Sequence, residues 1–245
     1  MANILIIGAT SAIASTLATN YAEDGHMIYC LARSKVKMQA LASRLGSNLA
    51  GYRCFDFTNQ EQVMDSIVAV EKAFSSLDVA LIAHGDLFNQ QQSENDFNIA
   101  YKTISVNFVS AIAFLLPLRR LFCSQGHGKI AVITSVAGDR GRPRNYTYGA
   151  AKGALTLYLQ GLRSQLWPKG IKVYTIKLGP VDTPMTVSHQ KNFSFTTVEN
   201  ASSKIRKALD KKKYEVYIPG YWYWVMMMVR SIPEQLFQRL SFLKD

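Results

Sequence analysis

Tyr148 and Lys152 stand four residues apart in YTYGAAK, a spacing that places both on one face of a helix. A phenol ordinarily ionises near pH ~10, and an ammonium beside it favours the phenolate. The pair therefore reads as a proton donor and acceptor working near neutral pH. Alone, a Tyr-x-x-x-Lys is a common solvated helix face. Here Ser135 precedes Tyr148 by 13 residues and Asn107 precedes Ser135 by 28, and that combination is specific.

A second set of residues has the types needed to hold a dinucleotide. GATSAIA follows the apolar run NILII. A tight turn into a helix N-terminus presents backbone N–H groups and the positive dipole end to a pyrophosphate. Gly8 supplies the turn, with Thr10, Ser11 and Ile13 beside it, while Ala12 and Ala14 stand where such loops usually carry glycine. A purely structural strand–helix turn is the alternative. LARS puts Arg33 at the end of the next strand, where an acidic residue suits the ribose hydroxyls of NAD and an arginine suits the 2′-phosphate of NADP(H). Ser11 and Ser34 are candidate helpers there, and an ordinary surface arginine is the alternative. Asp56 and Phe57, then Ala83, His84 and Gly85, end two further strands where an adenine and its ribose could be contacted. His84 equally suits a strand-end histidine with a satisfied hydrogen bond.

These residues need a frame that brings strand ends together. Short apolar runs alternate with helical patterns: NILII, MIYCLA, GYRCF, VALIA, KIAVIT, IKVYTIKL and YEVYI. Continuous apolar strands separated by helices predict an α/β fold, a doubly wound Rossmann-type sheet of about seven parallel strands with helices on both faces. Ligands bind such sheets beyond the carboxyl ends of the strands, where strand order reverses. No repeat or linker interrupts the series. The reading is one domain over residues 1–219, followed by an apolar and basic extension over 220–245, packed on that domain or on a membrane.

Composition narrows the setting. Three scattered cysteines lack metal-ligand spacing and suit a reducing cytosol, so no metal is expected. The N-terminus carries no basic n-region, and no stretch reaches the ~18 apolar residues needed to span a bilayer. The expectation is a cytoplasmic protein, peripheral at the inner face of the membrane if the extension meets lipid. Net charge is +11 and unevenly placed: residues 1–118 carry 7 Lys/Arg against 10 Asp/Glu, residues 119–245 carry 21 against 7. The second half is built to meet something anionic. No helix-turn-helix, zinc or RNA-binding motif accompanies that charge, and nucleic acid is not an expected partner.

With these residues in view, the chain resembles a short-chain dehydrogenase/reductase over essentially its whole length. The family's glycine loop T-G-x-x-x-G-x-G corresponds to Ile7 through Ala14, departing at Ile7, Ala12 and Ala14, and its N-A-G motif reads Ala83–His84–Gly85. Its Asn/Ser/Tyr/Lys tetrad falls on Asn107, Ser135, Tyr148 and Lys152. The resemblance implies NADP(H) as cofactor and hydride transfer to a ketone, with Tyr148 protonating the developing alkoxide and Ser135 stabilising it. It further implies that Lys152 holds ribose hydroxyls and tunes Tyr148, that Asn107 positions a relay water, and that Val181 and Thr183 contact the nicotinamide carboxamide.

Two segments bear on the substrate. VAGDRGRPRNYT carries Arg140, Arg142 and Arg144 on alternate positions between Ser135 and Tyr148. Arginine forks suit phosphate oxygens, and solvated loop arginines are the alternative. The extension joins a Trp/Tyr cluster, a Met run and a last segment with Leu236, Phe237, Leu240 and Leu243, flanked by lysines 211–213, Arg230 and Arg239. Such a segment suits an anionic lipid surface, and equally a pocket roof or the contact of a homo-oligomer. Both segments are similar to the subgroup that reduces a decaprenylphosphoryl 2-keto-pentose, which implies a lipid-linked keto-sugar substrate. A reductase of a lipid, acyl or small hydrophobic ketone is one alternative. A non-catalytic NADP-binding regulator is another, against which the intact Tyr148 and Lys152 count.

Overall fold

The computed structural model describes residues 1–186, 194–211 and 213–240; Lys212 and Leu243 therefore lie outside the described residues. Seven strands form one parallel sheet: β1 (Asn3–Ile7), β2 (Met27–Ala32), β3 (Leu49–Cys54), β4 (Val79–Ile82), β5 (Lys129–Ser135), β6 (Lys172–Leu178) and β7 (Glu215–Ile218). Their order across the sheet is β3-β2-β1-β4-β5-β6-β7, so the winding reverses between β1 and β4.

Side chains alternate across each strand, and both faces are apolar. Ile4 and Ile6 of β1 face one layer, packed with Ile13 and Leu17 of α1 (Ala12–Glu23), Met38 and Leu41 of α2 (Lys35–Leu45) and a later helix over Val198–Asp210. Leu5 and Ile7 face the other, packed with α3 (Gln60–Ala73), then the helical run Phe97–Gln125, then the helix Tyr146–Leu166. That run comprises α5 (Phe97–Ile104), a π-turn over Ser105–Val109 and α6 (Ser110–Gln125), after the short α4 (Gln90–Asn95).

By length and composition Phe97–Gln125 could cross a membrane, contrary to the expectation that no stretch would. It lies instead on the sheet, with Phe114, Leu115, Leu118 and Phe122 buried in the core. That is the place of a core helix, apolar because one whole stripe is covered.

The remaining helices are α7 (Tyr146–Leu166), α8 (Val198–Asp210), α9 (Trp222–Ser231) and α10 (Glu234–Phe237). Met226 and Val229 of α9 and Phe237 of α10 are buried against Val136, just beyond β5. The described part of the extension thus packs on the domain that carries the site. Its other face is exposed through Tyr223, Trp224, Met227 and Met228.

Candidate active site

The carboxyl ends of β1, β4, β5 and β6 open into a cleft of about 800 Å³. At one end, Gly8 leaves β1 with φ +83°, a conformation that strains any other residue, and a β-carbon there would meet the His84 backbone nitrogen at 2.7 Å. The chain can therefore turn close beneath β4 into α1. The Ser11 hydroxyl accepts from the Ala14 N–H at 3.3 Å and caps the helix, whose first residues, Ala12 and Ile13, line the cleft. Ser34 caps α2 in the same way. Thr10, Ser11, Ile13, Arg33, Phe57, Ala83 and Gly85 line this end. Arg33 reaches to within 3.6 Å of the Asp86 carboxylate, and both side chains are about half exposed. Asp56 stands apart: its carboxylate accepts from the Thr58 N–H and hydroxyl, and those bonds hold its pKa below the usual range.

At the other end the four tetrad residues converge. Gly149 and Gly153 of α7 receive the backbone of residues 137 and 138 so closely that β-carbons there would come within 2.7 Å and 2.8 Å of carbonyl oxygens. That approach sets α7 against the end of β5 and brings the Tyr148 phenol into hydrogen bonding with the Ser135 hydroxyl. Ser135 also accepts from the Ala137 N–H at 3.1 Å and donates to the Leu178 carbonyl at 3.5 Å. Lys152 is buried, donates to the Ile133 carbonyl at 3.3 Å, and has its nitrogen 5.9 Å from the Tyr148 ring centroid. Asn107 sits in the π-turn, a rare distortion that concentrates at functional sites. Its amide donates to the carbonyls of Asp86 (2.8 Å) and Thr103 (2.9 Å) and accepts from the Asp86 N–H at 3.1 Å. Gly85 lies between them: a β-carbon there would approach the Asn107 amide oxygen at 2.8 Å and the Lys152 ammonium at 3.1 Å.

The electrostatics correct one expectation. Burial pushes the Tyr148 phenol up to about 12; the Ser135 hydrogen bond opposes this and the Asp86 charge adds to it. Burial also pushes Lys152 down to about 8. The ammonium does not bring the phenol toward neutrality, because desolvation outweighs attraction at this separation. Tyr148 is held as a proton donor, beside a lysine that is charged below about pH 8.

The loop arginines separate. Arg142 and Arg144 line the cleft. Arg142 is half-buried with no side-chain hydrogen bond or ion pair among the described residues, and burial and the Arg144 charge both lower its pKa. Arg140 points away from the cleft, as no ligand of a substrate there. It donates to the carbonyls of Val229 (3.0 Å), Arg230 (3.3 Å) and Ile232 (2.6 Å), pairs with Glu234 at 2.8 Å and stacks on Phe237 at 4.1 Å. A helix ends with carbonyls lacking partners and a negative dipole, and here a guanidinium from another loop meets both.

Val181 and Thr183 line the cleft beyond β6, with the Thr183 N–H donating to the Thr186 hydroxyl at 3.2 Å. Trp222, in the extension that suits a lipid surface, a pocket roof or an oligomer contact, lines the cleft against Gly179. One feature escaped the sequence reading. Below the cleft, Lys177 of β6 pairs with Asp139 and Glu215, each at 2.8 Å. A lysine inside an apolar strand was the only signal of that network.

The family model for short chain dehydrogenase matches residues 2–193. An uncharacterized oxidoreductase of Streptomyces coelicolor is 29% identical over 241 residues, covering 97% of this chain and 95% of its own. One of Mycobacterium tuberculosis is 26% identical over 241 residues, covering 98% and 97%. A short-chain dehydrogenase of Burkholderia cenocepacia, solved in complex with NADP, superposes with a TM-score of 0.84 over 98% of this chain and 97% of its own, at 20% identity. A short-chain dehydrogenase/reductase from Vibrio parahaemolyticus gives 0.75 over 84% and 92%, at 27% identity.

Proposed function

The chain belongs to the short-chain dehydrogenase family, and we propose that it is an NADPH-dependent reductase of a ketone carried on a polyprenyl-phosphoryl sugar. The residues present fit the dinucleotide. Gly8, Thr10, Ser11 and Ile13 would hold the pyrophosphate on the first turn of α1, Arg33 the 2′-phosphate, Phe57, Ala83 and Gly85 the adenosine, and Lys152, Val181 and Thr183 the nicotinamide riboside. When bound, the reduced nicotinamide supplies the hydride. The protein does the rest. Ser135 donates a hydrogen bond to the carbonyl oxygen, and Tyr148 delivers its proton there as negative charge develops. Lys152 places positive charge near the phenolate left behind, and Asn107, anchored on the Asp86 and Thr103 carbonyls, holds the π-turn and Gly85 in place beside it.

Arg33 yields a direct prediction. Its exposed pairing with Asp86 is worth little, so a phosphate can displace it. Arg33→Asp is expected to raise KM for NADPH by about 10- to 100-fold, from loss of charge-assisted hydrogen bonds of roughly 1.5–3 kcal/mol. KM for NADH should change little, which initial-rate kinetics with both cofactors would test.

The substrate assignment is carried by one observation: Arg142, half-buried in the cleft wall beside Arg144, has no acidic partner among the described residues. A phosphoryl group would satisfy it. The exposed face of α9, with Arg230 in the same helix and the basic second half of the chain, supports contact with an anionic lipid surface from which such a substrate is drawn. The test is NADPH oxidation in mild detergent with a polyprenyl-phosphoryl 2-keto-pentose. Arg142→Ala should raise KM for it about tenfold or more and leave a small uncharged diketone unaffected. Turnover of the diketone alone, with none of the lipid-linked sugar, would leave a reductase of apolar ketones in its place.

A further inference from the structure

Between β7 and α9 lies a second groove, of about 390 Å³, lined by Tyr217, Tyr223, Met227, Arg230 and Ser231. Tyr223, Met227 and Arg230 stand at i, i+4 and i+7 of α9 and share one stripe, while Trp222 lines the active-site cleft from another side of the helix. The groove is therefore separate from the cleft. Its floor is fixed: the Tyr217 hydroxyl donates to the Asp139 carboxylate at 2.7 Å, and the Tyr217 ring meets Tyr223 edge-on at 5.7 Å. Its rim is open, with Tyr223 50% and Met227 44% exposed. Arg230 is exposed too, and its guanidinium has no hydrogen bond or ion pair among the described residues; only its backbone carbonyl is engaged, by Arg140.

A free guanidinium beside aromatic and thioether walls suits a phosphate that carries apolar chains. The next stripe of α9 fits the same ligand. Trp224 and Met228 stand at i and i+4 beside the groove, each 61% exposed. Trp and Tyr settle at headgroup depth, and an apolar helix stripe enters the layer beneath. The chain's excess of basic residues lies in its second half and draws this end to an anionic surface. A soluble anion would leave Trp224 and Met228 in water, whereas a bilayer covers both.

We propose that the groove between β7 and α9 is a docking site for the headgroup of an anionic phospholipid in a bilayer, with Arg230 on the phosphate and Trp224 and Met228 in the interface. This deepens the lipid-surface part of the reading above and rests on it, but is independent of what the cleft reduces.

The experiment is cosedimentation of the full chain with vesicles of phosphatidylcholine alone and of phosphatidylcholine with equimolar phosphatidylglycerol. Binding is expected with the mixed vesicles, accompanied by a blue shift of tryptophan emission that Trp224→Phe removes. Arg230→Gln should weaken binding about tenfold or more, as loss of a charge-assisted contact implies. It should keep the wild-type Tm, because the side chain has no partner in the protein to lose. Lys207→Gln takes the same charge from the exposed side of α8 and should change binding less than about twofold, being screened from the site. Equal weakening by the two variants overturns the docking site, since diffuse charge then accounts for the binding, and leaves the lipid-surface reading standing. Absence of wild-type binding to the mixed vesicles overturns both.

Discussion

Tyr148→Phe is expected to lower reductase turnover about a thousandfold, within the range a positioned general acid supplies, while cofactor affinity is unchanged. The phenyl ring keeps its packing, because only the hydroxyl faces Ser135. What is lost is the proton donor proposed for the carbonyl oxygen: the phenol is pushed up to about 12 by burial and is held protonated. Lys152 adds a pH signature. It is charged below about pH 8 and neutral above, so wild-type turnover should fall as pH rises through that value. In Tyr148→Phe the alkaline fall should disappear, since no phenolate remains for the ammonium to stabilise. A pre-steady-state assay with cofactor binding followed by fluorescence separates the two effects. A variant retaining a tenth or more of wild-type turnover would remove Tyr148 from the chemistry.

The second large effect is on stability. Lys177→Ala is expected to destabilise the fold by about 3–5 kcal/mol, because it leaves a buried carboxylate without its partner. Lys177 is 2% exposed and Asp139 4%. Burial alone would disfavour the Lys177 charge, but hydrogen bonds to Asp139, Glu215 and Tyr217 outweigh it and raise its pKa. The raised value means the folded state keeps this proton more tightly than the unfolded chain. The stabilisation is therefore complete below the ordinary lysine range and is lost only as pH rises beyond it. Urea titration at neutral pH should show the midpoint fall with an unchanged slope. Lys177→Met with Asp139→Leu, which removes both charges, should recover most of the loss. Asp139 neighbours Arg140, so the single variant should also loosen the C-terminal helices, which limited proteolysis would register.

How much of this could be read in advance differs by element. The strands were legible because a parallel sheet covered on both faces needs continuous apolar runs, which NILII and KIAVIT display. The tetrad was legible because Tyr148 and Lys152 share a helix and Ser135 ends a strand, so local periodicity already places them on the side of the cleft. The tyrosine's acidity was not. It depends on how far desolvation and the Lys152 distance compete, and both are set by the packing of α7 on residues 136–138.

Arg140 and Arg142 make the contrast sharpest. Two residues apart in one loop, chemically identical, they were assigned one role. The structure turns the first outward to close the end of α9 and the second into the cleft. Sequence alone determined the parallel sheet, the tight turn at Gly8 and the spacing of the four tetrad residues proposed for catalysis, because each follows from local pattern along one strand or helix. Only tertiary structure decided which arginine meets the cleft, that Trp222 returns to it from a segment 74 residues beyond Tyr148, and that Lys177 is paired beneath it. Those depend on where separate elements meet, and contacts between elements distant in the chain leave no period in the sequence.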